Sequence, residues 1–145
     1  MTGLGENFAR VDGPAKLRGW AQFTADVEMP GMVYAKVLRS PYAHARLLRV
    51  DASRAAKLPG VVAVLTRDDL KGMNAYFGPV VKDQPVVAID RVRYVGDIIA
   101  AVAAEEKDIA EEALELIDAE YEPLPAVFNS AEAMKSDAPL LHGES

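Results

Sequence analysis

The chain has 145 residues, half of them hydrophobic, with 22 acidic against 16 basic side chains and a formal net charge of -6. That length suits one domain able to bury roughly two thirds of the surface its unfolded form exposes, and the acidic excess, with no dense Lys/Arg cluster, argues against a nucleic-acid partner. No apolar run approaches the roughly 20 residues of a bilayer span, and the lack of any cysteine excludes disulfides, thiolate metal sites and iron–sulfur ligation by this chain.

The opening residues have neither a basic nor an apolar leader pattern, so no secretory signal is expected and a cytoplasmic setting fits. Residues 1–10 carry no period and read as a flexible arm, followed by one domain over 11–142 and a tail or truncation point at 143–145. Turn signals at Val11-Asp12-Gly13-Pro14 and Arg18-Gly19 precede residues 20–27, whose aromatic and β-branched content predicts a strand. Pro30-Gly31 turns the chain into a strand over 32–38, with Val33, Ala35 and Val37 on one face and Tyr34, Lys36 and Leu38 on the other. Ser40-Pro41 interrupts it and 45–50 resumes, leaving both an antiparallel and a splayed arrangement open. Asp51 is placed to cap a short helix over 52–58 that Pro59-Gly60 ends. The apolar run at 61–65 predicts a short buried strand. Thr66-Arg67-Asp68-Asp69 has capping-box spacing, with Asp in place of Glu, and predicts one helical turn closed by Gly72.

No period survives over 71–84, yet Met73, Tyr76 and Phe77 lie there between Gly72 and Gly78-Pro79. Long loops are uncommon unless functional or disordered. Two short strands are predicted at 85–89 and 92–95, then a fuller one at 98–104, where seven almost purely apolar residues imply cover on both faces. Ile109, Ala110, Ala113, Leu114 and Ile117 recur three and four apart, which predicts an amphipathic helix of about three turns. Residues 118–122 alternate polar and apolar until Pro123 and Pro125 stop them. The compact strand, helix and strand favour a parallel pair with right-handed passage. Asn129-Ser130-Ala131-Glu132, a second capping-box spacing, predicts a short helix over 131–135.

Chemistry is harder to find. His44 and His142 stand far apart without carboxylates at ligand spacing, so no metal site is nominated, and His44 reads as a turn-flanking ring that satisfies backbone groups. Asp118, Glu120 and Glu122 point to one side of a strand and read as a wet face rather than a cation site. Gly3-Leu4-Gly5 is too short for a phosphate fingerprint, and the serines lack a nucleophile-elbow context. Arg39, Arg46, Arg49, Arg91 and Arg93 are scattered, with mutual surface pairing the expected role for most. No catalytic, cofactor-binding or metal-ligating residue is nominated.

A resemblance raises the reading above this. Residues 10–19, then Phe23-Thr24-Ala25-Asp26, Pro30-Gly31 and Leu38-Arg39-Ser40-Pro41-Tyr42-Ala43-His44-Ala45-Arg46, resemble the start of the molybdopterin-binding large subunit of the xanthine dehydrogenase, aldehyde oxidase and carbon monoxide dehydrogenase family. Residues 59–66, Arg93-Tyr94-Val95-Gly96-Asp97 and Tyr121-Glu122-Pro123-Leu124-Pro125 are similar, in the same order, to that family's α/β hammerhead domain. Tyr42 stands where His is common, and Asp97 where Gln or Glu is often seen.

The resemblance implies an α+β fold, an α/β hammerhead in which a mixed sheet carries a crossover helix packed on it. It also implies an oxidoreductase that hydroxylates an aldehyde, N-heterocycle or similar carbon. A molybdopterin-type molybdenum cofactor, iron–sulfur clusters and FAD are expected in the full complex, and none of them on this chain alone. The expected role is a non-catalytic scaffold packed against the molybdopterin-binding domains of the same large subunit and against the iron–sulfur and FAD subunits or domains. The alternative is a stand-alone binding or assembly module of the same fold without redox chemistry. Met73, Tyr76 and Phe77 are the candidate substrate-entrance or interface residues, folding back onto this domain's own core being the other option for them.

Overall fold

Ile98–Ala104 forms strand β7, and both of its edges are occupied. On one side lies β1 (Tyr34–Arg39) and on the other β3 (Val61–Leu65), each antiparallel to it. The computed structural model describes residue 5 and residues 9–142, so most of the arm expected at 1–10 and all of the tail at 143–145 lie outside the described residues. Two compact units are present, Met1–Met32 and Val33–Ser145.

In the first unit, Gly13–Leu17 form a short helix α1 with Pro14 in its first turn, where proline's missing N–H costs nothing. Residues 20–27 do not form the expected strand. Thr24–Asp26 make a single 3-10 turn instead, and the Asp26 carboxylate accepts a hydrogen bond of 2.9 Å from the Phe23 N–H. A local carboxylate that satisfies the backbone competes with the ladder that β propensity favours. The Arg18 guanidinium lies 4.9 Å from the Trp20 ring centroid.

In the second unit the alternation of β7 explains its burial. Ala100 and Val102 face α2 (Lys107–Glu115), whose Ala110 and Ala113 are fully buried, and Ile117 joins this cluster. Ile99 points the other way, into a cluster with Ala45, Leu47, Ala88 and Val92. Those partners belong largely to a second sheet in the order β6 (Arg91–Val92), β2 (Ala45–Asp51), β8 (Asp118–Pro123). Small residues on α2 let helix and sheet approach closely, while Ile99 joins the two sheets.

The parallel pairing expected for residues 98–122 does not form. β7 and β8 lie in different sheets, every pairing among the described residues is antiparallel, and three small sheets stand in place of one mixed sheet. The reason is occupancy: β1 and β3 take both edges of β7, so α2 carries the chain across to β2. There the acidic side chains of β8 find cations. Arg46 lies opposite Glu122 at 3.1 Å, and Arg49 opposite Glu120 at 3.4 Å. The run through Ser40-Pro41 is the splayed arrangement, since β1 and β2 also occupy different sheets.

Local signals elsewhere hold in part: the helix expected over 52–58 is a single 3-10 turn, and the strand at 61–65 forms but is not buried, Val62 being exposed. Gly60 has φ +86° at the end of the short turn over Ala55–Lys57. Asp69 accepts from both the N–H and the hydroxyl of Thr66, at 2.7 and 3.0 Å. The Asn129 side chain accepts from the Ala131 N–H at 2.8 Å to open α3 (Ser130–Ala133). Residues 71–84, read as a loop, contain most of a two-stranded ribbon, β4 (Tyr76–Phe77) with β5 (Gln84–Pro85). Beyond it the extended segments are shorter than the strands predicted at 85–89 and 92–95.

One ion pair ties α2 to β1. The Lys36 ammonium contacts the Glu111 carboxylate, and this hydrogen bond and charge hold the Glu111 carboxyl below its ordinary value of 4.5. A carboxyl whose pKa is lowered by folding stabilises the fold above its unfolded value, and the contribution is lost as pH falls through the folded value. The melting temperature of Glu111→Gln is therefore expected to sit slightly below that of the unaltered chain at neutral pH, with the gap closing as pH falls below 4.5. Thermal scans from pH 7 to pH 3 measure this. A gap constant with pH would assign the contribution to something other than the ion pair.

Candidate functional site

Two places carry the residues singled out in the sequence. The first is the excursion between β3 and β6. Leu70, Ala75 and Val87 are buried together at its base, with Leu65, Ile89 and Ile98 packed against them. The Val86 N–H donates to the Ala75 carbonyl at 2.9 Å, and the Ala88 N–H to the Ile98 carbonyl at 2.7 Å, joining the base to the start of β7. Beyond this base stands the β4–β5 ribbon. A Cβ on Gly78 would lie 1.9 Å from the Val81 carbonyl oxygen, so the turn at the tip tolerates no side chain there.

Met73, Tyr76 and Phe77 are 66%, 40% and 49% exposed, and Val80 and Val81 at the tip are exposed as well. The small residues Ala75 and Val87 go inward, and the large apolar ones stay on the surface. Tyr76 and Phe77 are consecutive on β4, so each face of the ribbon carries one exposed aromatic residue. Val80 and Val81 were not singled out from the sequence, although their position after Gly78-Pro79 signals a turn tip.

The second place is a joint where three quoted segments converge. Ser40 is buried, its N–H donates to the Asp97 carbonyl at 2.8 Å, and its carbonyl accepts from the Gly96 N–H at 2.8 Å. The Ser40 hydroxyl oxygen accepts from the Tyr42 N–H at 3.0 Å. Arg39 reaches across to donate to the Gly96 carbonyl at 2.8 Å. The Asp97 carboxylate, also buried, accepts from the Arg93 N–H at 3.0 Å, which closes the turn Arg93-Tyr94-Val95-Gly96-Asp97.

His44 is buried beside the third segment. Its Nδ1 lies 2.7 Å from the Pro125 carbonyl oxygen and its own carbonyl accepts from the Leu124 N–H at 2.9 Å. One ring nitrogen satisfies backbone, as expected for a turn-flanking histidine, while the buried Nε2 has no hydrogen-bond partner among the described residues. Nearby the Tyr42 and Tyr121 rings pack with centroids 5.0 Å apart. Burial, and secondarily Tyr42, pushes the Tyr121 phenol above its usual value, while burial and the Asp97 charge do the same for Tyr94.

A cleft of about 330 Å³ opens at this joint, lined by Asp83, Gln84, Arg93, Tyr94 and Asp97 among others, with His142 at 3.3 Å from Asp83. Its charged groups are largely engaged: Arg93 donates from Nε to the Leu141 carbonyl at 2.9 Å, and Asp97 holds the turn. Polar side chains at the joint thus fix main chain to main chain. Among the described residues no three His, Asp or Glu side chains gather at metal-binding distance. Asp118, Glu120 and Glu122 lie along β8, two of them paired with arginines of β2.

An antiparallel α+β block, with one helix on a β7-centred sheet and a second sheet joined to it through the Ser40 and Asp97 turns, defines the class of domain. Residues 18–125 match the family described as aldehyde oxidase and xanthine dehydrogenase, a/b hammerhead domain, and the chain belongs to that family.

It is 50% identical over 133 residues to a probable xanthine dehydrogenase subunit of Bacillus subtilis (strain 168), covering 92% of this chain and 18% of that protein. It is 43% identical over 142 residues to the nicotinate dehydrogenase large molybdopterin subunit of Eubacterium barkeri, covering 98% of this chain and 33% of the other. Among solved structures, reconstituted CO dehydrogenase from Oligotropha carboxidovorans superimposes with a TM-score of 0.85 at 38% identity, over 94% of this chain and 17% of that one. The chain therefore spans between about a sixth and a third of the length of these relatives.

Proposed function

We propose that this chain is the hammerhead part of the large subunit of a molybdenum hydroxylase-type oxidoreductase, a scaffold whose reactive centre is furnished by other polypeptide. The full complex would carry a molybdopterin-type molybdenum cofactor, iron–sulfur clusters and FAD, which supply oxygen-atom insertion at carbon and onward electron transfer. This chain is read as holding none of those groups. It has no cysteine for a cluster, and of its buried polar side chains Ser40 and Asp97 are spent on backbone, while His44 bonds the Pro125 carbonyl through Nδ1 and leaves Nε2 without a partner among the described residues.

Its own residues contribute shape. The buried base formed by Leu70, Ala75 and Val87 presents Tyr76 and Phe77 on a short ribbon with Met73 at its approach. These apolar side chains would line the substrate entrance, or cover an interface with the molybdopterin-binding domains. The observation that carries this reading is the exposure of two aromatic residues at consecutive positions of a ribbon whose base, Leu70, Ala75 and Val87, is buried.

The test is Tyr76→Ser with Phe77→Ser in the assembled enzyme. Loss of apolar contact made equally in ground and transition states raises KM and leaves kcat alone, by roughly tenfold or more for two rings. Failed assembly with its partners would select the interface instead. Unchanged kinetics together with unchanged assembly would refute both placements. Molybdenum and iron copurifying with the complex distinguish this reading from a stand-alone module, which would bring down neither.

A further inference from the structure

We infer that Arg67 is a positioning residue that closes the neck of the 68–88 excursion and so fixes the direction in which the Tyr76 and Phe77 ribbon points. Its guanidinium donates from Nη1 to the Leu47 carbonyl at 2.6 Å and to the Ile89 carbonyl at 2.9 Å, and from Nη2 to the Leu48 carbonyl at 2.8 Å. No carboxylate forms a salt bridge with it among the described residues. Three main-chain oxygens take the place of an anion.

Those oxygens lie where the strands part. β2 and β6 pair at Ala45 with Val92 and Arg46 with Arg91, and the Leu47 N–H still donates to the Asp90 carbonyl at 2.9 Å. One residue further on, the ladder ends, and the Leu47 and Ile89 carbonyls would face each other without donors. On its other edge β2 slips register against β8 between Leu47 and Arg49, which leaves Leu48 as the extra residue of a bulge. The guanidinium fills that opening and satisfies an oxygen on each side of it. Two of the three bonds are partly shielded from water, and a shielded carbonyl without a donor is costly, so the fork has a definite role there.

The topology turns this bond set into a positional device. Arg67 begins the excursion and Ile89 ends it, so one side chain joins entry to exit. The turn that holds Arg67 is itself fixed by Asp69 on Thr66. Between the two ends the ribbon's buried support is the Leu70, Ala75 and Val87 cluster. With the neck open, the excursion would pivot on that small cluster. Lysine cannot replace the function, because a single ammonium on a flexible stem does not reach three carbonyls in fixed directions.

The consequence for substrate rests on the entrance reading above, and the experiment separates the two. Arg67→Met and Arg67→Lys are made in the full-length enzyme with its copurifying subunits, and amide hydrogen exchange is followed by mass spectrometry. Expected is at least tenfold faster exchange over residues 73–89 in Arg67→Met, with α2 over 107–115 unchanged within twofold, and no recovery in Arg67→Lys. Equal acceleration in both segments would reduce Arg67 to a general stabiliser, and no acceleration over 73–89, or full recovery with lysine, would overturn the proposal outright. KM and kcat are measured alongside on whichever of xanthine, nicotinate and benzaldehyde the unaltered enzyme oxidises. A raised KM with kcat unchanged supports both ideas. Fast exchange with an unchanged KM upholds Arg67 as the positioning residue and removes the ribbon from the substrate's path.

Discussion

Ile99→Ala is expected to destabilise the fold by about 2–5 kcal/mol, the range for deleting a buried Ile side chain beyond its Cβ and leaving a cavity behind. Ile99 is fully buried in the cluster formed with Ala45, Leu47, Ala88 and Val92. Leu38, Val50 and Tyr121 pack against this cluster as well, and how far they move into the space sets where in that range the loss falls. The site is also where β7 of one sheet meets β2 and β6 of the other, and relaxation would pull the sheets together against their own ladders. For a domain whose total stability is about 5–15 kcal/mol, that is a large fraction. Urea unfolding measures it as a lowered midpoint with an unchanged slope. Val62→Ala on β3, where the side chain is exposed, should change stability by no more than about 0.5 kcal/mol. Similar losses at both positions would mean that Ile99 does not join the sheets.

Gly60→Ala is the second large effect, expected at about 1–3 kcal/mol from backbone strain at a positive φ. The residue holds φ +86°, and an added Cβ would come within 2.6 Å of the Ile109 Cδ1 on α2. The Ile109 contact is with the end of a side chain and can be relieved by a rotamer change, so the backbone conformation sets most of the cost. Relief at Ile109 still disturbs the helix face, and the Gly60 carbonyl accepts from the Glu105 N–H at 2.9 Å just before α2 begins. Gly72→Ala makes a useful comparison: φ is +81° there too, with nothing within 4 Å of the new Cβ. Chemical denaturation of both variants separates strain from crowding. Equal losses assign everything to φ, and a loss at Gly60 below that at Gly72 would contradict the crowding at Ile109.

The local signals in the chain were legible and the pairings were not. Gly60 after Pro59, Asp69 three residues after Thr66 and Asn129 before α3 act within a few residues, so the sequence states them directly. The apolar run of β7 likewise announces a strand covered on both faces. Which strands lie beside it depends on competition among distant segments. The link from β7 through α2 is compatible with a parallel neighbour, and only the prior claim of β1 and β3 on its edges excludes one. Residues 20–27 mislead for a different reason: Asp26 folds back on the Phe23 amide, which composition does not reveal.

The candidate site was half visible. Met73, Tyr76 and Phe77 stand out as apolar residues in an aperiodic stretch, and the chain leaves all three exposed. Arg67 gave no such sign. An arginine inside a capping box reads as a solvated charge, and its three acceptors are main-chain carbonyls 19 to 22 residues away, which side-chain patterns never encode.

The outer strand β8 has one strand neighbour among the described residues, β2. Its acidic positions 118, 120 and 122 alternate along a face, and Pro123 and Pro125 follow at its end. If two copies of this chain met rim to rim while emerging from the ribosome, antiparallel growth would bring like carboxylates opposite one another and run into prolines with no amide to offer. The same charges that bind Arg46 and Arg49 within the fold thereby discourage fibrous self-association at the stage when a nascent chain is most crowded by its own copies.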